Sequence, residues 1–485
     1  MKTPFPFGSR GGIALLFATI ALTSAARAAA FTWKGGAASN AWTLNGNWTT
    51  SAPANNGTAA VTFTDAFFTG TNFGAALDGG LVKSGAGTMT LRGANTYTGR
   101  TVVNAGTLQI GVNGSLLNSW VEVAPGGTFT MSNVSVNAGT GVYFSVGTAS
   151  SATAATANLV AGSLSTGETD VGNAVGSIAT FAHSGGMHSV DAGLYVGVGA
   201  GSTGSYTLSG TGALSTLLTR VGHNGTGTFT QTGGTHTVGS GALVVGRNAG
   251  AGSYVLQGGT LDAVGTTVGF SGAGTFTQSG GTHTTSGDLY LGVGSTSDGT
   301  YTLSGAASQL TTAHTNVGYI GTGAFTQNGG THTTVRVYLG RATGSTGTYR
   351  LNGGTLQTSE IESHGEGAIY FNGGLVQLTG KSSPFLGANT DAYLGAGGAK
   401  IDTNGRASRL SAPIARSTAL PGTGTAAALA RTFSNIPKSN SPGDPNSGSA
   451  NSLAAGATRP GRDAALLPLG DTRIPARVDS QRDID

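Results

Sequence analysis

The chain has 485 residues, of which 86 are glycine, only 9% are Asp, Glu, Lys or Arg and none is cysteine, and its formal charge is +4. This composition is unlike that of an ordinary globular enzyme, and the missing thiols exclude disulfides, thiolate metal sites, a cysteine nucleophile and a lipoprotein anchor. The small charge, with basic residues scattered rather than striped, argues against a nucleic-acid partner. Helix interiors disfavour Gly, whereas Thr, Val, Tyr and Phe suit a pleated surface and Gly supplies turns, so the predicted fold is all-β.

Residues 1–29 read as a secretory signal. Lys2 and Arg10 give a positive start, Ile13 to Leu22 is a short apolar core, and Ala26-Arg27-Ala28 offers small residues for cleavage. The apolar run is well short of the roughly 20 residues that span a bilayer, and no other stretch could span, so no transmembrane segment is expected after cleavage. Residues 30–76 hold Trp33, Trp42 and Trp48, three of the four tryptophans, among Gly, Asn and Thr. They read as an atypical β cap covering the first rung of a repeat array.

Residues 77–165 form a β-strand repeat segment. From Leu77 to Ile110, short alternating runs such as Thr88-Met89-Thr90-Leu91 are separated by Gly-Ala-Gly, Gly-Ala-Asn and Asn-Ala-Gly turns. Gly80-Leu81, Lys83, Gly85 to Thr88, Leu91 to Gly99, Thr101 and Asn104 to Leu108 resemble the autotransporter-associated β-strand repeat. The resemblance strictly covers this segment. It implies a β-helical, passenger-like stalk on an exported bacterial protein, with no catalytic residues to carry over.

Residues 166–406 repeat internally. Thr228-Phe-Thr-Gln-Thr-Gly-Gly-Thr-His-Thr-Val238 recurs from Thr275 and from Ala324, with a worn copy around Phe181. Tyr206-Thr-Leu208, Tyr254-Val-Leu256, Tyr301-Thr-Leu303 and Tyr349-Arg-Leu351 lie midway, which sets a unit of about 24 residues. Three short strands and three turns fit that length, the size of one rung of a right-handed parallel β-helix. Eight or nine such units would stack to roughly 40 Å. An antiparallel hairpin array or a propeller is the alternative.

Residues 407–485 carry eight of the thirteen prolines with Arg, Ser, Asn and Asp interspersed, and read as a low-complexity, disordered tail. No barrel or sorting helix is recognisable in it, and a truncated or frame-shifted gene is one reading of the abrupt switch. Leu420-Pro-Gly-Thr-Gly424 resembles a sortase signal only superficially, because the apolar span that should follow is just Ala426 to Ala430.

The candidate chemistry is sparse. Phe181, Tyr206, Phe229, Tyr254, Phe276, Tyr301, Phe325 and Tyr349 alternate without a gap and are expected to stack as an inward ladder; the functional alternative is an exposed sugar-binding ridge. His188, His236, His283 and His332 are locked to the Thr-His-Thr position and would recur on every second rung, about 9 to 10 Å apart, too far to share a metal ion. They are expected to face solvent. Glu360, Glu362, His364 and Glu366 are evenly spaced, which would put all four on one strand face as a charged solvent surface, with a loose calcium site as the alternative. Asp262, Asp288 and Asp298 show no basic partners at rung spacing, which argues against a β-helical polysaccharide lyase. The expectation is a secreted or cell-surface, non-catalytic stalk with no catalytic, metal or cofactor site, whose partners are surface glycans or other extracellular matrix components; a glycan-binding module and, behind it, a polysaccharide-degrading enzyme are the alternatives.

Overall fold

The structure is a computed structural model that describes residues 80–416 apart from short gaps, together with the strands Ala30–Trp33, Ala60–Phe63, Phe68–Thr71, Thr432–Phe433 and Asn451–Leu453. The signal reading of 1–29, most of the tryptophan-rich opening and most of the tail reading lie outside the described residues. Every described element is a β-strand.

One rung shows how the sequence coils. Thr226–Gln231 lies on a first face, Thr235–Val238 on a second and Leu243–Val245 on a third; the chain then returns to the first face as Gly252–Leu256. The returning strand pairs in parallel with the one below, Thr228 against Ser253 and Phe229 against Tyr254. Burial alternates along each strand, so every second side chain enters the interior. The turns between faces need backbone that only glycine adopts easily. Gly246 and Gly269 end third-face strands at φ of 78° and 73°, and a Cβ there would stand 2.2 Å from the Ala273 carbonyl oxygen and 2.3 Å from that of Asp298.

The first face is a sheet of 16 parallel strands running from Phe68–Thr71 to Ile414–Arg416. The second and third faces join into one larger sheet, because in some rungs a single strand turns the corner. Met187–Val196 does so, with a register shift between Val190 and Gly193. The whole is a parallel β-solenoid, each turn of which contributes one first-face strand. At about 4.8 Å per rung the 16 strands span about 70 Å, longer than the repeat count alone suggests. The extra turns come from the segment before residue 166, where Leu81, Thr101, Val121, Phe144 and Thr169 align on successive rungs and continue the same third face. These rungs are as short as 20 residues, lack the histidine marker and carry the aromatic of the column only at Phe129, which hid them from the periodicity. At the other end the stack passes residue 406, since Leu410, Ala412 and Ile414 are buried and Ile414–Arg416 pairs with Asp391–Leu394.

Candidate functional site

The repeat's distinctive residues point inward. All eight members of the aromatic column are buried, and rungs stacked in register place each ring on the next. From Phe181 to Tyr349 successive centroids are 4.6 to 5.0 Å apart and the planes differ by no more than 12°. Such pairs are worth about 0.5–1.5 kcal/mol each beyond burial. The column ends in small or aliphatic residues: Ala157 lies below Phe181, with Phe144 edge-on to that ring at 5.7 Å, and Ile369 lies above Tyr349.

The histidines correct the expectation of a solvent-facing position. His188, His236, His283 and His332 are fully buried, because the strand that follows Gly-Gly sends His and the residue two further on to the same, inner side. Each is held by a network that repeats every second rung. Around His236 the Tyr254 hydroxyl donates to Gln231 Oε1 at 2.7 Å, and Gln231 Nε2 donates to the Gly234 and Thr260 carbonyls at 3.2 and 2.9 Å. With its proton committed, the hydroxyl can only accept from His236 Nδ1 at 3.0 Å. Nε2 is therefore the bare nitrogen and accepts from Thr219 Oγ1 at 3.1 Å, which sits 2.9 Å from Thr216 Oγ1. The same wiring joins His283, Tyr301, Gln278 and Thr266, and again His332, Tyr349, Gln327 and Thr315. In the worn copy His183 replaces the glutamine. Its Nε2 donates to the Gly186 carbonyl at 3.1 Å, so its Nδ1 accepts from Tyr206, whose hydroxyl takes the His188 Nδ1 proton. An imidazole thus reproduces both ends of an amide. Burial keeps these rings neutral and pushes His236, His283 and His332 down to about 3.

The acidic cluster also needs correction. Only Glu360 and Glu362 share a strand, Glu360–Ser363; the chain turns at His364, and Glu366 opens the next strand on the first face. Arg336, one rung below, pairs with Glu360 at 3.0 Å and lies 3.9 Å from Glu362, and His364 Nε2 is 3.6 Å from Glu362. No group of three or more His, Asp or Glu side chains suited to a metal ion occurs among the described residues. Asp288, expected to lack a basic neighbour, faces His314 one rung up at 2.9 Å and accepts from the Tyr290 hydroxyl at 3.0 Å.

What the sequence reading missed is a difference between faces. Outward positions of the first face are mostly Thr or Ser, as in Thr228, Ser253, Thr275 and Thr300 in register. On the third face the corresponding column reads Asp170, Tyr195, Arg220, Val244, Thr267, Tyr290, Asn316, Tyr338 and Glu362. The turn beside it adds His223, Arg247, Phe270, Tyr319 and Arg341. Spacing within the repeat would have found this column, because the residue before Val-Gly or Leu-Gly changes while its neighbours stay fixed.

Fold and interior together define a parallel β-solenoid whose repeat residues are spent on the stack. Residues 81–110 match the model of the passenger-associated-transport-repeat family, and the similarity is to a passenger-like repeat protein. No curated protein and no solved structure matches the chain.

Proposed function

We propose that the chain is an exported, non-catalytic stalk with a structural or adhesive role at the cell surface or outside the cell. The observation that carries this reading is the filled, hydrogen-bonded interior. The residues that define the repeat are used to hold one rung on the next, as expected where length and rigidity are the product. The family match over residues 81–110 supports a passenger-like part. Export follows from the signal-like start. Fractionation of the producing cell with N-terminal sequencing tests it: the expected mature chain lies outside the inner membrane and begins near Ala29 or Phe31. A cytoplasmic protein still starting at Met1 would contradict it.

A further inference from the structure

We propose that the third face around Arg220 and Arg247 binds an acidic, hydroxyl-rich polysaccharide, a uronate chain lying along the stack. Arg220 follows Tyr195 by one rung in the outward column, and its Cζ lies 5.2 Å from that ring centre. Arg247 leaves the next turn with Cζ 5.0 Å from the Phe270 ring, and His223 packs edge-on to Tyr195 at 5.4 Å. Neither arginine forms an ion pair among the described residues; burial and the nearby charge of Arg220 lower the pKa of Arg247, and the Arg220 charge also acts on the Glu168 carboxylate. Three buried polar atoms here lack a hydrogen-bond partner: Arg247 Nε, His223 Nδ1 and Asp170 Oδ1. Two guanidiniums held together outside any ion pair keep donors that an anion from outside can take, and the buried Arg247 Nε, His223 Nδ1 and Asp170 Oδ1 mark a place where the fold itself leaves polar groups unmet.

The chemistry selects the ligand. A carboxylate offered to the guanidiniums relieves their repulsion and makes charge-assisted hydrogen bonds, and sugar CH faces suit the aromatic rings. Glu168 and Asp170 beside the arginines disfavour a densely charged polyanion such as single-stranded DNA, whereas a uronate chain carries neutral hydroxyls between its carboxylates. A peptide cannot join as a strand, because the backbone of this face is already consumed by the rungs above and below. The rungs repeat in register along the column, which suits an extended polymer.

The test is isothermal titration of the full chain with polygalacturonate at low ionic strength, beside neutral dextran and single-stranded DNA. Polygalacturonate is expected to bind and dextran not to. The Arg220→Gln/Arg247→Gln double variant should lose affinity by at least about tenfold. Arg350→Gln, on the first face beside Tyr370, should bind as the wild type does. If the double variant melts early, Arg247→Lys replaces it; this keeps the charge, loses the planar fork and should still weaken binding several-fold. The proposal is overturned if the wild type does not bind polygalacturonate, if the arginine variants bind unchanged, if Arg350→Gln loses as much, or if DNA binds equally well.

Discussion

A buried imidazole is tolerable only when both nitrogens are occupied, and His236, His283 and His332 meet that condition through Tyr and Thr partners. The arrangement makes the protein acid-sensitive. In the unfolded chain a histidine protonates near pH 6.5, whereas in the fold burial holds these three down to about 3. Their contribution is complete above about pH 6.5 and is lost as the pH falls towards 3, by about 1.4 kcal/mol per pH unit for each ring. Asp170, raised to about 7 by burial and by Glu168, and Glu168, itself raised by burial, work the other way, their contribution being lost as pH rises above about 4, but they are two groups against several buried histidines. Thermal melts are therefore expected to fall steadily from pH 7 to pH 4, and His236→Leu should flatten that slope; an unchanged slope in the variant would show that the ring is not buried neutral. A signal for the inward direction lay in the sequence, since His236 and Val238 share parity after Gly-Gly, but the polarity of the ring outweighed it in the expectation of a solvent-facing position. Its partners were not legible, because Tyr254 and Thr219 lie 18 and 17 residues away and meet it only across rungs.

At the scale of the rung, two strand types alternate. Rungs with Phe, Gln and His stand against rungs with Tyr, Leu and Leu, as Phe229, Gln231 and His236 align with Tyr254, Leu256 and Leu261. Each polar rung is thus completed by the hydroxyl of the next, which accounts for a sequence period of two rungs where the coil has a period of one. The turns are equally specific. Gly269→Ala would force a Cβ into φ of 73° and against the Asp298 carbonyl oxygen at 2.3 Å. The conformation alone costs about 1–2 kcal/mol, and relieving the backbone clash costs more. Urea unfolding should place the variant clearly below Thr267→Ala, an outward change two residues earlier; equal midpoints would contradict the turn geometry. Gly-rich turns were visible in the sequence, but how many rungs they served was not, because the rungs between Leu81 and residue 166 are as short as 20 residues, lack the histidine and show the aromatic of the column only at Phe129.

Over the whole molecule, each rung touches only its neighbours, so stability is a sum of local interfaces rather than one core. The all-β class, the coil of about 24 residues and the family segment could all be read from the residues, since alternation and turns are local properties. The third-face column was open to reading as the variable position before Val-Gly or Leu-Gly, but its contacts were not, because only the stack places Tyr195, Arg220 and Arg247 side by side while the first face is mostly Ser and Thr. The central claim, a nearest-neighbour stack held by an inward ladder, is tested most directly by amide hydrogen exchange of Phe276→Ala. Removing that ring opens a cavity between Tyr254 and Tyr301 and should cost about 3–5 kcal/mol locally. The expected result is lost protection in Gly252–Leu256, Gly274–Gln278 and Asp298–Leu303, with Gly127–Met131 and Glu366–Phe371 protected as before. Protection lost evenly along the chain, or nowhere, would contradict the account.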